Sequence, residues 1–404
     1  MPNEMQAPAP ESRPSRRRRI VAPIQVFLRT EAAGGAVLLA AALVAIVAAN
    51  SPWAAGYDDL LATPLPLRLG PVAVDLDLHG WVNEALMALF FLVVGVEIKR
   101  ELLHGELRDR RAAAVPAIAA LGGMVGPALV YLALTAGTAA ARGWGIPMAT
   151  DIAFAVGVLA LVGRGAPPGL RAFLLTLAIV DDIAAIAVIA VVYSGSVGWG
   201  ALALAGALCL GIAALRGIDR CPGPVFAVLG LTVWYVTYRS GVHATVAGVV
   251  LGLLAPVPHP DADARSGLER LEERLHPWTS FAVLPVFALA NAGVHLSSSA
   301  LTGAAGGRVA SAVAVAQVVG KFAGIGLATW LAVRSGVGRL PDGVTRRGVL
   351  GVAAVAGVGF TVALFVARLA FPSGPEADGA RVGILVGSAL AGALGFGILR
   401  GRRA

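Results

Sequence analysis

The sequence predicts an all-α polytopic membrane protein of twelve transmembrane helices, with one small β-hairpin on its outer face. Three observations predict it. Of the 404 residues, 57% are hydrophobic and only 14% charged, and mean hydropathy is +0.78. That is the profile of a chain solvated by a lipid bilayer rather than by water. Apolar runs recur near 31–50, 79–103, 112–136, 143–163, 169–193, 198–215, 222–238, 241–255, 270–292, 309–333, 346–371 and 380–399, most of them near the ~20 residues that cross a hydrocarbon core. Finally, the cations alternate with these runs. Arg13 to Arg29, Lys99 to Arg111, Arg164 and Arg171, Arg216 and Arg220, Arg265 to Arg274, Arg334 to Arg347, and Arg400 to Arg403 fall on one side, against Arg68, Arg142, Arg239, Arg308, Arg368 and Arg381 on the other. The cation-rich side is cytoplasmic, which places both termini there. The net charge of +8 is therefore topology information and not a nucleic-acid surface.

Residues 1–30, rich in Pro, Ser and Arg, are predicted to be a disordered basic cytoplasmic tail, and 31–404 a single twelve-helix domain. SRRRR followed by an apolar run resembles a signal peptide, but the run from Ala32 to Asn50 is too long for an h-region and eleven spans follow, so it is predicted to be retained. Between spans one and two, LPLRLGPVAVDLDL alternates apolar and polar residues around Gly70-Pro71, a hairpin signal at about 64–78. A lone hairpin is marginal in water. It either lies on its own helices or pairs with a second copy of the chain in a homodimer. Span 241–255 is short and is predicted to tilt or to run part-way across. Cys209, mid-span, and Cys221, in the following loop, are too far apart for a disulfide.

Spans 112–193 and 309–399 each form a triplet, and the two triplets start on opposite faces, which predicts an inverted repeat. Each middle span carries a helix-weakening stretch, from Gly145 through Pro147 to Asp151 in one and Gly357-Val-Gly359-Phe-Thr361 in the other. Matching interruptions in two halves point to a transport site.

Within these spans lie charges that lipid penalises by roughly 3 kcal/mol each on insertion scales. Asp181 and Asp182 are adjacent in LLTLAIVDDIAAIAVIAVV. Successive helical positions diverge by ~100°, so one is predicted to face a water-filled funnel and the other a protein partner. Carboxyls so placed suit an exchange of protons for a cation. Asp151 follows Thr150 and precedes a clean apolar helix, so it is an N-cap candidate and also an offset for the positive ends of broken helices. Lys321, one of two lysines in the chain, sits mid-span and requires a carboxylate or the negative end of a broken helix as partner. At the cytoplasmic end of span two, Glu97, Arg100 and Glu101 share a helix face. LERLEERLHPW places Glu272 on the same side of the membrane. They read as an ordinary charged helix end or as an electrostatic gate that titrates as a unit. His243, at the outer end of a short span, reads as a structural residue or a pH switch.

ALMALFFLVVGVEIKREL, MATDIAFAVGVLAL, LTLAIVDDIAAI, SGVHATVAG, LPVFALANAG, VVGKFAG and GVGFTVALF occur in order between about residues 80 and 370. Together they resemble the NhaA-type sodium/proton antiporters of bacterial inner membranes. The resemblance implies two interrupted helices that cross, and secondary active exchange of Na⁺ or Li⁺ for H⁺, electrogenic and pH-regulated, serving sodium and pH homeostasis. It implies that Asp182 binds the metal ion with Asp181 as its partner, that Asp181 alternates between Lys321 and exposure, and that Asp151 and Thr150 sit near the ion at the crossing. It further implies a pH-responsive region of Glu97, Arg100, Glu101 and Glu272, with His243 linked to the pH response, and a dimer contact through the hairpin. No resident cofactor is implied. Inverted repeats are an established feature of that family, so the repeat and the resemblance are one observation rather than two. Two positions depart from the pattern. Glu84 stands where Asp is common, and Glu273 where a His of the pH-responsive segment occurs, so the pH profile does not carry over.

Two rivals are set against this. No G-x-x-x-x-G-K-[ST] motif is present, so the energy source is an ion gradient. An intramembrane aspartyl protease would need two carboxyls on facing helices, usually in YD and GxGD; Tyr57-Asp58 lies in a loop and no GxGD occurs. The sequence therefore predicts a non-enzyme. A sodium-coupled organic-solute symporter of related fold is the closer alternative.

Overall fold

The computed structural model describes residues 16–70, 72–108, 110–162, 167–215, 223–255, 264–295 and 303–401, and within them the chain is mostly helical. Helix α1 runs Arg16–Ala49. It thus begins before position 31, and the second half of the expected disordered tail is helical. Residues 1–15, Cys221 and the loop cations Arg164, Arg216 and Arg220 lie outside the described residues. Past Ser51-Pro52, where proline removes a backbone donor, the short helix α2 (Ala54–Leu61) departs at 116° from α1. It is pinned in place where the Tyr57 hydroxyl donates to Leu289 O at 2.5 Å. This element has no counterpart among the sequence expectations, which place Tyr57-Asp58 in a loop; both residues are helical.

The expected hairpin is present. Strands β1 (Leu67–Leu69) and β2 (Val72–Val74) pair antiparallel, Leu67 opposite Val74 and Leu69 opposite Val72. Gly70 at the turn has φ +59°, a conformation open to a residue without Cβ.

The remaining helices are α3 (Leu78–His104), α4 (Arg110–Thr135), the 3-10 helix α5 (Ala139–Met148), α6 (Ile152–Leu161), α7 (Pro168–Val192), α8 (Trp199–Leu215), α9 (Gly223–Arg239), α10 (Ala244–Leu254), α11 (264–291), α12 (Gly306–Arg334), α13 (Arg346–Val355), α14 (Phe360–Ala370) and α15 (Pro375–Arg400). Each of the twelve apolar segments contains helix where described, two of them interrupted, at 149–151 and 356–359. By length and composition, five helices among the described residues suffice to cross a membrane (α3, α4, α7, α12 and α15), and up to eight spans result if each bent pair counts as one. Helix α10, 11 residues long, is as short as its sequence indicated. Among the described residues, three helices carry a π-helical turn, at Val82–Leu86 in α3, Thr279–Val283 in α11 and Ala316–Gly320 in α12. Such turns rotate a side chain out of helical register and frequently mark functional positions.

Close backbone approach sets the helix packing. An added Cβ on Gly122 of α4 would strike the carbonyl of Gly324, and one on Gly126 would meet that of Gly320 at 2.5 Å. The reciprocal G-x-x-x-G spacings let α4 and α12 touch through their backbones and hold Lys321, between Gly320 and Gly324, at a fixed depth. Apolar side chains form two large clusters. One contains Phe91, Ile146, Phe287 and Phe365, with Phe365 tilted against Phe91 and Phe287. The other contains Val156, Phe173, Leu177, Ile325 and Val352. Helices α5 and α14 contribute to the first, and α6 and α13 to the second. Both helix interruptions therefore fall at the boundary between the apolar clusters, where polar groups collect.

Candidate functional site

Helices α5 and α6 bend by 49°, and α13 and α14 by 46°. In the first pair the chain leaves helical geometry after Pro147-Met148 and runs extended through Ala149 to Asp151. In the second, Gly357 and Gly359 flank the interruption, with Gly359 as N-cap of α14. The two breaks are bonded to each other. Asp151 N donates to Val358 O at 2.7 Å, and Thr150 Oγ1 lies 3.0 Å from Ala356 O. The crossing thus supplies partners for backbone groups that the breaks leave outside any helix.

Asp151 serves both helix starts. Its Oδ1 accepts from Phe154 N, the first turn of α6, at 3.2 Å. Its Oδ2 accepts from Thr361 N at 3.1 Å and Thr361 Oγ1 at 2.7 Å, the first turn of α14. A carboxylate between two helix N-termini is where the helix dipoles favour negative charge. Lys321, fully buried, does the converse. Its ammonium donates to Met148 O at the end of α5 and to Asp181 Oδ2 at 2.5 Å. Snorkelling is thereby excluded for this lysine. Thr150 Oγ1 also approaches Asp181 Oδ2, at 2.6 Å. Its single proton serves either Asp181 or Ala356 O.

The adjacent aspartates face different surroundings. Asp181 is held through Oδ2 by Lys321 and Thr150, whereas Asp182, 5% exposed, has no ion pair among the described residues; the Oδ1 of each is buried without a hydrogen-bond partner there. Asp182 lies within electrostatic reach of Asp181, Glu97, Asp151 and Lys321. Asp151, Thr150, Asp181, Asp182 and Lys321, five positions singled out in the sequence, are thus gathered at one crossing.

A second group lies at the C-terminal end of α3. Arg100 donates to Glu272 of α11 at 2.8 Å and approaches Glu101 at 3.3 Å. Glu97 is in electrostatic reach of both Arg100 and Asp182, which links this cluster to the crossing. Glu273 is exposed. His243 is not part of this group. Its Nδ1 lies 3.3 Å from Glu84 Oε1 and its Nε2 3.1 Å from Tyr193 O, while Ala244 N donates to Glu84 Oε2 at 3.1 Å. Glu84 and Arg100 are separated along α3 by about 24 Å at helical rise, so the two groups lie toward opposite ends of the molecule.

Three polar positions escaped sequence reasoning as site candidates. Thr361 follows two glycines whose helix-weakening signal overshadows its hydroxyl. Glu84 departs from the family pattern, and its signal is a carboxylate inside span two. Gln317, buried in the π-helical turn of α12, is an amide with no charge to mark it.

The chain matches the family described as Na⁺/H⁺ antiporter 1 over residues 25–399. Among curated relatives, the Na⁺/H⁺ antiporter NhaA of Acidovorax sp. is 48% identical, the alignment covering 94% of this chain and 92% of that one. NhaA of Rhodospirillum rubrum is 47% identical over 93% of this chain and 96% of its own length. NhaA 3 of Frankia alni is 45% identical over 94% and 89% respectively.

Proposed function

This chain belongs to the Na⁺/H⁺ antiporter 1 family and exchanges Na⁺ for H⁺ across the membrane in which its helices are embedded, and on that footing we propose that the exchange takes place at Asp182, with Asp181, Asp151, Thr150 and Lys321 building the site around it. The observation that carries this is the asymmetry of the paired carboxyls. Asp181 has a buried ammonium 2.5 Å from its Oδ2, and Asp182 has no ion-pair partner among the described residues, while the Oδ1 of each is buried without a hydrogen-bond partner. A buried carboxylate without a counter-charge is costly, so Asp182 is neutralised either by a proton or by a hard cation that takes oxygen ligands. Occupancy by one displaces the other, which is the thermodynamic core of exchange. Thr150 and the crossing carbonyls supply further oxygens, and Asp151 and Lys321 hold the broken-helix ends. Li⁺, with the same preference for oxygen, is carried alongside Na⁺. If more protons enter than Na⁺ leaves, voltage contributes ~2.3 kcal/mol per charge per 100 mV.

The wider architecture follows from the same footing. All twelve helical segments cross the bacterial inner membrane, with both termini cytoplasmic, as the cation asymmetry supports. Residues 112–193 and 309–399 form an inverted repeat, supported by a long helix, a bent pair and a long helix in each triplet. Glu97, Arg100, Glu101 and Glu272 make up a cytoplasmic pH-responsive region. His243, paired with Glu84, responds from the opposite end. The exposed Leu67 and Leu69 of the hairpin meet a second copy of the chain in a homodimer. The relatives are named as antiporters, and no chemical step beyond ion exchange, nor any resident cofactor, is proposed. Nothing in the site favours an organic-solute symporter.

The test is Na⁺-induced collapse of an imposed ΔpH in everted membrane vesicles. The native protein collapses the gradient with Na⁺ and with Li⁺. Asp182→Asn, which cannot exchange a proton, does not. Undiminished exchange in Asp182→Asn would remove the ion from that residue.

A further inference from the structure

Gln317 lies in the π-helical turn Ala316–Gly320, one helical turn before Lys321. It is 1% exposed, and neither its Oε1 nor its Nε2 has a hydrogen-bond partner among the described residues. Its surroundings are glycines. An added Cβ on Gly359, at the α14 break, would stand 2.8 Å from Gln317 Nε2 and 2.7 Å from Ala149 O of the other break. One on Gly387 of α15 would strike Gln317 Oε1, and one on Gly357 would stand 2.6 Å from the backbone carbonyl of Gln317. The carboxamide is therefore wedged between α15 and the interruption of α13–α14, beside the chain reversal that carries Ala149. The next residue of α15, Ser388, is also buried, and its hydroxyl too has no partner among the described residues.

A buried amide without a partner costs about 1–3 kcal/mol on protein mutational scales, and such groups in folded proteins are satisfied by protein or by bound water. A carboxamide offers two donors and two acceptor sites, more than any water needs to be held. Beside it stand Ala149 O of one break, the backbone of Gly359 at the other, and Ser388 of α15.

We propose that Gln317 binds an internal water that bridges its carboxamide to the backbone of the α13–α14 break, and that Gln317 is thereby a positioning residue for the ion site. This rests on the site proposed above. Through the water, the π-helical turn of α12 grips the same break whose far end, Thr361, is capped by Asp151. Gln317 itself does not touch the transported ion. The π-helical turn is what aims the side chain at the break while leaving Lys321, on the same helix, aimed at Asp181.

The decisive variant is Gln317→Met, similar in length but with neither an N–H donor nor a carbonyl, and only a weakly accepting thioether. If the amide has no partner, an apolar replacement of the same shape is neutral or stabilising; if it holds a water to the break, the replacement orphans the break. In the vesicle assay, Gln317→Met is expected to raise the apparent KM for Na⁺ by roughly fivefold, as for one lost hydrogen bond, with kcat nearly unchanged and a lowered midpoint of thermal unfolding in detergent. A high-resolution structure of the native protein is expected to show a density peak within hydrogen-bond distance of the Gln317 carboxamide. Absence of that peak overturns the water, and an unchanged KM in Gln317→Met overturns the positioning role. If Gln317→Met does not reach the membrane, Gln317→Asn, which keeps a shortened carboxamide, decides the KM effect, shifting it in the same direction by less. Asp182→Asn, assayed alongside, separates the two proposals: loss of exchange there with unaltered Gln317 variants leaves the ion site standing and removes only Gln317.

Discussion

Asp151 Oδ2 accepts from both the backbone N–H and the hydroxyl of Thr361, at 3.1 and 2.7 Å, across 210 residues of sequence. One carboxylate therefore caps its own helix and the opposing broken helix together, and neither half of the crossing keeps its geometry without the other. Thr361→Val removes one of the two bonds and leaves the N–H contact. It is expected to cost about 1 kcal/mol of stability and to raise the apparent KM for Na⁺ with exchange retained. Asp151→Ala removes both caps and is expected to abolish exchange. Equal KM values for Thr361→Val and the native protein in ΔpH-collapse assays would show that the cross-cap has no bearing on the ion site.

Lys321 and Asp181 form a fully buried ion pair, which is costly to break from one side. Lys321→Met strands the Asp181 carboxylate and is expected to destabilise the protein by about 3–5 kcal/mol. Asp181→Asn/Lys321→Met, which removes both charges, is expected to recover most of that loss while remaining deficient in exchange. Thermal unfolding in detergent measures the first effect and vesicle assays the second. Additive losses in the double variant would mean that the two groups are not coupled.

Arg100 joins α3 to α11 through Glu272. Arg100→Gln and Glu272→Gln are each expected to displace the pH profile of exchange. The double variant is expected to shift it no further than either alone, because the two changes remove the same contact. Vesicle assays at stepped pH provide the profiles. The exposed Glu273 provides the control, and Glu273→Gln is expected to leave the profile nearly in place.

Gly122 and Gly324 meet backbone to backbone. Gly122→Val forces α4 and α12 apart and is expected to cost more than the ~1–3 kcal/mol of ordinary overpacking, since the obstacle is main chain that no rotamer relieves. It also displaces Lys321. Gly206→Ala, where an added Cβ meets nothing within 4 Å, is expected to be tolerated. Membrane yield and unfolding temperature compare the two directly.

Sequence alone determined which residues are out of place in lipid. Asp151, Asp181, Asp182 and Lys321 stand out because a charge in a hydrocarbon-length apolar run is expensive wherever the run packs, and that cost is local. The hairpin was legible for a similar reason: alternation around Gly70-Pro71 needs no knowledge of the rest of the chain. Helix interruptions were visible in Gly145-Ile-Pro147 and Gly357-Val-Gly359, since Gly and Pro weaken helices by their own covalent structure. The helicity of Arg16 to Thr30 and the sharp turn into α2 were not legible, because a Pro- and Arg-rich stretch and an eight-residue helix have no strong local signature. Only the tertiary structure decided that Lys321 pairs with Asp181 and not with its neighbour, that Asp151 caps Thr361, that His243 joins Glu84 and not the Arg100 cluster, and that Gln317 is aimed at the break. Those pairings span 140 and 210 residues in the first two cases. They depend on where helices cross and on a one-residue π-helical offset, and adjacent carboxyls of identical composition become different groups only when one of them finds an ammonium at 2.5 Å.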